Sequence, residues 1–127
     1  MSGIIAMQLE QLQERFGGVH VQHLPSSTSL VSVPDVRLPE GWSTLSTNIR
    51  FLIPPGYPYA PVDCFWADTG LRLSNGGLPQ NTQEMQIPET TESGLWFSWH
   101  LTGPWDANRD TLSTWMNVVA ERLRRPQ

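Results

Sequence analysis

The stretch Pro54-Pro55-Gly56-Tyr57-Pro58-Tyr59-Ala60-Pro61 constrains this chain more than any other. Its prolines cannot donate ladder hydrogen bonds and they fix φ, so they end one strand and aim the next. Before it, Ile49, Phe51 and Ile53 alternate with Asn48, Arg50 and Leu52. After it, Val62, Cys64 and Trp66 alternate with Asp63 and Phe65. Alternation with a period of two is the signature of a half-buried strand. The expectation is a strand over 46–53, an elbow whose ring cover is Tyr57, and a strand over 62–67.

The flanking segments follow from the same rules. Ile5, Leu9, Leu12 and Phe16 recur at helical spacing, with Gln8, Glu10, Gln11, Gln13 and Glu14 assigned to the other face. Gly17-Gly18 offers a left-handed cap, so a helix is predicted over 4–16. Residues 19–24 and 29–38 read as strands joined around Pro25-Ser26-Ser27. From 68 to 94 the pattern dissolves into polar sequence broken by Gly, Pro and Asn, and a loop of that length is usually functional or disordered. Leu112, Trp115, Met116, Val119 and Leu123 trace one face of a helix placed over 106–124, closed by Pro126. The expected class is α+β: a four-stranded antiparallel meander with an N-terminal and a C-terminal helix, in one domain over 1–127.

Composition narrows the partners. Six tryptophans in 127 residues are core-building material. Eight basic against twelve acidic residues give a net charge of −4. The only basic cluster, Arg122, Arg124 and Arg125, falls in the last turn of a helix, where it complements the dipole. Nucleic acid is therefore not an expected partner. Cys64 is the sole cysteine, which excludes an intrachain disulfide and suits a reducing compartment. No stretch approaches membrane-spanning length, so the expectation is a cytoplasmic protein without a membrane partner. His20 and His23 lie three apart on a strand and face opposite ways, so no metal cluster and no cofactor is expected. Ser74-Asn75-Gly76-Gly77 lacks the lysine of a phosphate loop, and no Gly-x-Ser-x-Gly elbow occurs.

Phe51–Trp66 resembles the strand, Tyr-Pro-x-x-Pro elbow and strand of ubiquitin-conjugating (E2) enzymes. The chain is more closely similar to the prokaryotic E2 family E of bacterial ubiquitin-like conjugation operons. That pattern stands here as Pro54–Pro58, Asp63-Cys64-Phe65-Trp66, Trp96-Phe97-Ser98-Trp99-His100, and Trp105 before the terminal helix. Trp96 is one residue closer to Ser98 than the pattern has it. The resemblance implies the ubiquitin-conjugating (UBC) fold and an E2-like carrier. Its partners would be a ubiquitin-like protein and an E1-like adenylating enzyme docking on helix 4–16. For bacterial relatives it implies a role in stress or phage defence.

Ordinary E2 enzymes keep a cysteine between the sheet and a Trp that precedes the next helix. The corresponding segment here, Gly94–Pro104, holds none. Cys64 takes an apolar strand position, where a buried thiol is inert. The resemblance therefore directs attention to Ser98 and His100, which share a face if the stretch is extended. A serine hydroxyl needs a base within hydrogen-bond reach, and histidine suits that task. Asp63 would orient His100, and Asn75, Asn81 or backbone N–H groups would stabilise an oxyanion. On this reading the ubiquitin-like C-terminus is carried as a serine oxyester. The same residues also fit a strand merely packed on the sheet, which would make the chain an inactive E2-variant scaffold. An unrelated α+β domain with a chance elbow is the third option.

Overall fold

The computed structural model describes residues 3–127, so Met1 and Ser2 of the expected domain lie outside the described residues. Helix α1, Gly3–Phe16, is followed by strands β1, His20–His23, and β2, Ser29–Arg37. Strand β3 is Ser46–Ile53, β4 is Phe65–Ala67, β5 is Thr82–Gln86 and β6 is Ser93–Phe97. Helix α2, Leu112–Leu123, comes last. All strand pairs are antiparallel, in the order β1-β2-β3-β4-β6-β5. The α+β class with a helix at each end is as expected; the sheet, however, has six strands rather than four in a meander.

The two additional strands lie in the stretch read as irregular and the aromatic segment after it. β5 is Thr82-Gln83-Glu84-Met85-Gln86, a sheet edge with no apolar alternation to betray it. β6 inserts between β4 and β5 and is buried from Gly94 to Leu95 and again at Phe97. A continuous apolar run of that length carries no period-two signal. Strand β4 is also shorter than the predicted 62–67: Val62 to Cys64 are not in it, and Cys64 has φ +62°. The last helix begins at Leu112 rather than 106 because Thr111 caps it. Thr111 Oγ1 accepts from Thr114 N–H and Thr114 Oγ1 accepts from Thr111 N–H, a reciprocal cap.

The elbow is built by local hydrogen bonds, Tyr57 N–H to Pro54 O and Ala60 N–H to Gly56 O, both 3.0 Å. The Tyr57–Pro58 peptide bond is cis. Tyr57 is buried, packs against Trp105, and donates its hydroxyl to Gln8 Oε1. The same oxygen accepts from Leu112 N–H at 3.0 Å. Gln8 is thus buried, not on the outer face of α1 as the helical reading had it. Leu9 and Leu12 of α1 join Trp115, Met116, Val119 and Leu123 of α2 in one core with Val31, Ile49, Phe51, Phe65 and Phe97 of the sheet. The opposite sheet face carries a small cluster of Leu24, Leu30, Trp66 and Ile87. No helix among the described residues is long and apolar enough to cross a membrane.

Candidate functional site

The site forms where β6 runs out. Thr82 pairs with Phe97, and Ser98 N–H then donates to Asn81 O at 2.9 Å. On the other flank Cys64 N–H donates to Trp99 O at 3.0 Å. The backbone of Ser98-Trp99-His100 is thereby held between the entry to β5 and the entry to β4, although it belongs to neither ladder. Trp99 is supported from beneath by the Arg122 guanidinium, 5.4 Å from its ring.

His100 and Asp63, 37 positions apart in the chain, meet through Nδ1 and Oδ1. Because an ionised carboxylate only accepts, this contact favours the tautomer with the proton on Nδ1, which leaves Nε2 as the acceptor. Both side chains are more than half exposed, 61% and 58%. An exposed pair of this kind adds little to stability, about 0–1 kcal/mol. Its effect is to orient the ring.

Ser98, His100 and Asn81 line one open hollow of about 380 Å³, together with Trp99, Leu101 and Thr102. Ser98 and His100 are not hydrogen-bonded to each other. Asn75 is elsewhere: its Oδ1 accepts from Gly77 N–H at 2.8 Å within a local turn, and it does not line the hollow. Asn81 takes a left-handed conformation, φ +61°, where β5 begins.

Cys64 differs most from its expected setting. It is not a strand residue and is only half-buried. Burial pushes its thiol above the ordinary value, and the neighbouring Asp63 charge pushes the same way; a Trp99 backbone hydrogen bond opposes both. A ligand atom of Cys64 lies within 4.8 Å of ligand atoms of Asp63 and His100. Spacing along the chain gave no reason to expect a metal-ligand cluster; tertiary contact is what brings these three side chains together.

One supporting residue escaped the sequence reading. Arg122 is 2% exposed rather than a solvated helix-end charge. Its guanidinium donates to the carbonyls of Gln80, Arg125 and Gln127 at 2.8–3.0 Å and lies over Trp42, Phe97 and Trp99. Desolvation lowers its pKa. The position i+3 from Val119, inside the apolar stripe, was the available signal.

Compared with known protein families, residues 10–126 match the family described as Prokaryotic E2 family E. No curated protein and no solved structure shows a significant match.

Proposed function

The chain belongs to prokaryotic E2 family E, and from that premise we propose that it carries a ubiquitin-like protein on Ser98. A fold hosts many chemistries, so the specific reading has to rest on the site. The observation that carries it is the shared hollow of Ser98 and His100, with His100 oriented by Asp63.

In the proposed step, the C-terminal carbonyl of the ubiquitin-like protein arrives as a thioester on an E1-like enzyme. His100 Nε2 takes the Ser98 hydroxyl proton as Oγ attacks the carbonyl carbon. The tetrahedral oxyanion collapses, the C–S bond breaks, and the leaving thiolate receives that proton. An acceptor amine then attacks the ester, breaking the C–O bond and returning the proton to Ser98 Oγ. The Asn81 amide would serve the oxyanion, a role that Asn75, held in its own turn outside the hollow, is not placed to share. Helix α1 is the proposed E1 face, since Ile4 and Met7 are 46% and 53% exposed on it beside Glu10, Gln11 and Glu14. The domain as a whole, 1–127, would act as one E2-like unit in a bacterial conjugation system.

A second reading is favoured by the missing Ser98–His100 hydrogen bond: an inactive E2 variant that scaffolds its partners. Catalytic hydrogen bonds often tighten only with substrate bound, so the carrier reading stands.

The test combines the protein with an E1-like enzyme, ATP and the ubiquitin-like protein and follows adducts by intact mass. Wild type, Ser98→Ala and Cys64→Ala are compared after thiol and after hydroxide. A thiol-resistant, hydroxide-labile adduct lost only with Ser98→Ala is the expected result. Binding without any adduct would make the chain a scaffold, and loss with Cys64→Ala would move the ester to a thioester.

A further inference from the structure

In a regular strand, Asp63 and Cys64 would point to opposite faces. The left-handed φ of +62° at Cys64 breaks that alternation one residue before β4 begins. Its side chain comes round toward Asp63 and His100, and one carboxylate oxygen, Sγ and one imidazole nitrogen all lie within 4.8 Å of one another. Adjacent residues rarely offer two ligands to one point, and here the backbone conformation makes it possible.

Ligands of a tetrahedral zinc-class ion, bonded at about 2.0–2.3 Å, stand roughly 3.4 Å apart. Cys64 Sγ therefore has to close a gap of at most about 1.4 Å, while Asp63 and His100, already in hydrogen-bond contact, have to part to reach that spacing. Exposed Asp63 and His100 have room to adjust by side-chain rotation. The backbone is already anchored, through Cys64 N–H to Trp99 O and Ser98 N–H to Asn81 O. A thiolate, an imidazole and a carboxylate suit a borderline-soft cation, whereas magnesium and calcium prefer all-oxygen sites. Three protein ligands leave a fourth position open to water on the exposed side.

We propose that Asp63, Cys64 and His100 bind one zinc-class divalent cation, with water as the fourth ligand. On binding, the Cys64 thiol releases its proton to solvent. The Asp63–His100 hydrogen bond is exchanged for two bonds to the metal. Resting on the carrier reading, an ion held here occupies His100, so metal binding and acyl transfer at Ser98 exclude one another.

The full chain, stripped with chelator, is titrated with Co²⁺ alone. Cys64 is the only cysteine, so a near-ultraviolet thiolate-to-cobalt band reports this site and no other thiol. The band is expected to saturate at one ion per chain and to be displaced by Zn²⁺. Cys64→Ser removes it, and His100→Ala and Asp63→Ala each weaken Co²⁺ binding about ten-fold or more. Replacing His20 and His23 together leaves the titration unchanged. Both His100 and Asp63 are exposed, so their variants keep the fold and the comparison stands even if Cys64→Ser does not. The absence of a band overturns the proposal. So does a band indifferent to His100→Ala and Asp63→Ala, or saturation at half an ion per chain, which would place the site between two chains.

Discussion

The Gln8 carboxamide oxygen accepts from both the Tyr57 hydroxyl and Leu112 N–H, joining α1, the elbow and the start of α2. Gln8→Ala leaves two buried donors without a partner and should cost about 3 kcal/mol of stability. Urea unfolding measures it; a loss below about 0.5 kcal/mol, the size of an ordinary surface change, would deny the shared acceptor. Gln8 stands three residues after Ile5 and four before Leu12, inside the apolar stripe, so its burial was legible from spacing and obscured by its polarity. Tyr57 carries a pH dependence. Burial raises its phenol above the ordinary value; the Gln8 hydrogen bond opposes this and the Asp110 charge adds to it. The neutral phenol is the form the fold favours, so its contribution is complete below about pH 10 and is lost as pH rises toward the folded-state value. Tyr57→Phe should therefore flatten the alkaline fall in unfolding free energy. An equally steep fall in the variant would assign that slope to another group.

Among the elements, β6 was the hardest to anticipate and is the one on which the site depends. It delivers Ser98 to the hollow, and its pairing with β4 brings Trp99 against Cys64. That pairing requires a small residue at 94. A Cβ on Gly94 would meet Ala67 O at 2.6 Å and Trp66 Cβ and Cδ1 at 3.4 Å. A backbone carbonyl in the ladder cannot step aside, so Gly94→Ala should destabilise by about 2 kcal/mol, read by thermal or urea unfolding. A neutral result would show that β4 and β6 can separate locally without cost. The glycine was visible in the sequence, but it read as loop punctuation, since only a neighbouring strand gives it a reason to be small. β5 was equally hidden. Its residues are polar, and it is a strand because β6 offers it a ladder, an outcome set by pairing rather than propensity.

At the scale of the whole molecule, the sequence contains no lysine; all eight basic residues counted are arginine. An ester on Ser98 therefore has no side-chain amine of its own chain to attack it. Thr102, exposed and on the rim of the same hollow, is the place to supply one. Thr102→Lys should convert the hydroxide-labile adduct into a hydroxide-resistant amide, because a tethered amine has a high effective concentration. Intact mass after hydroxide distinguishes them; an adduct that stays fully labile would place the acyl group away from this hollow. By itself the sequence determined the strand–elbow–strand unit, the apolar face of α2, the absence of a cysteine from Gly94–Pro104 and the family they mark. Those are properties of short windows, where periodicity and proline chemistry act on neighbours along the chain. Tertiary structure alone decided that β6 inserts beside β4, that Trp99 is a ring laid over Arg122, and that Cys64 turns toward Asp63 and His100. Each of these depends on which distant segment supplies a hydrogen-bond ladder or a buried face. No local pattern encodes that choice, because it is settled by competition among segments once the core has formed.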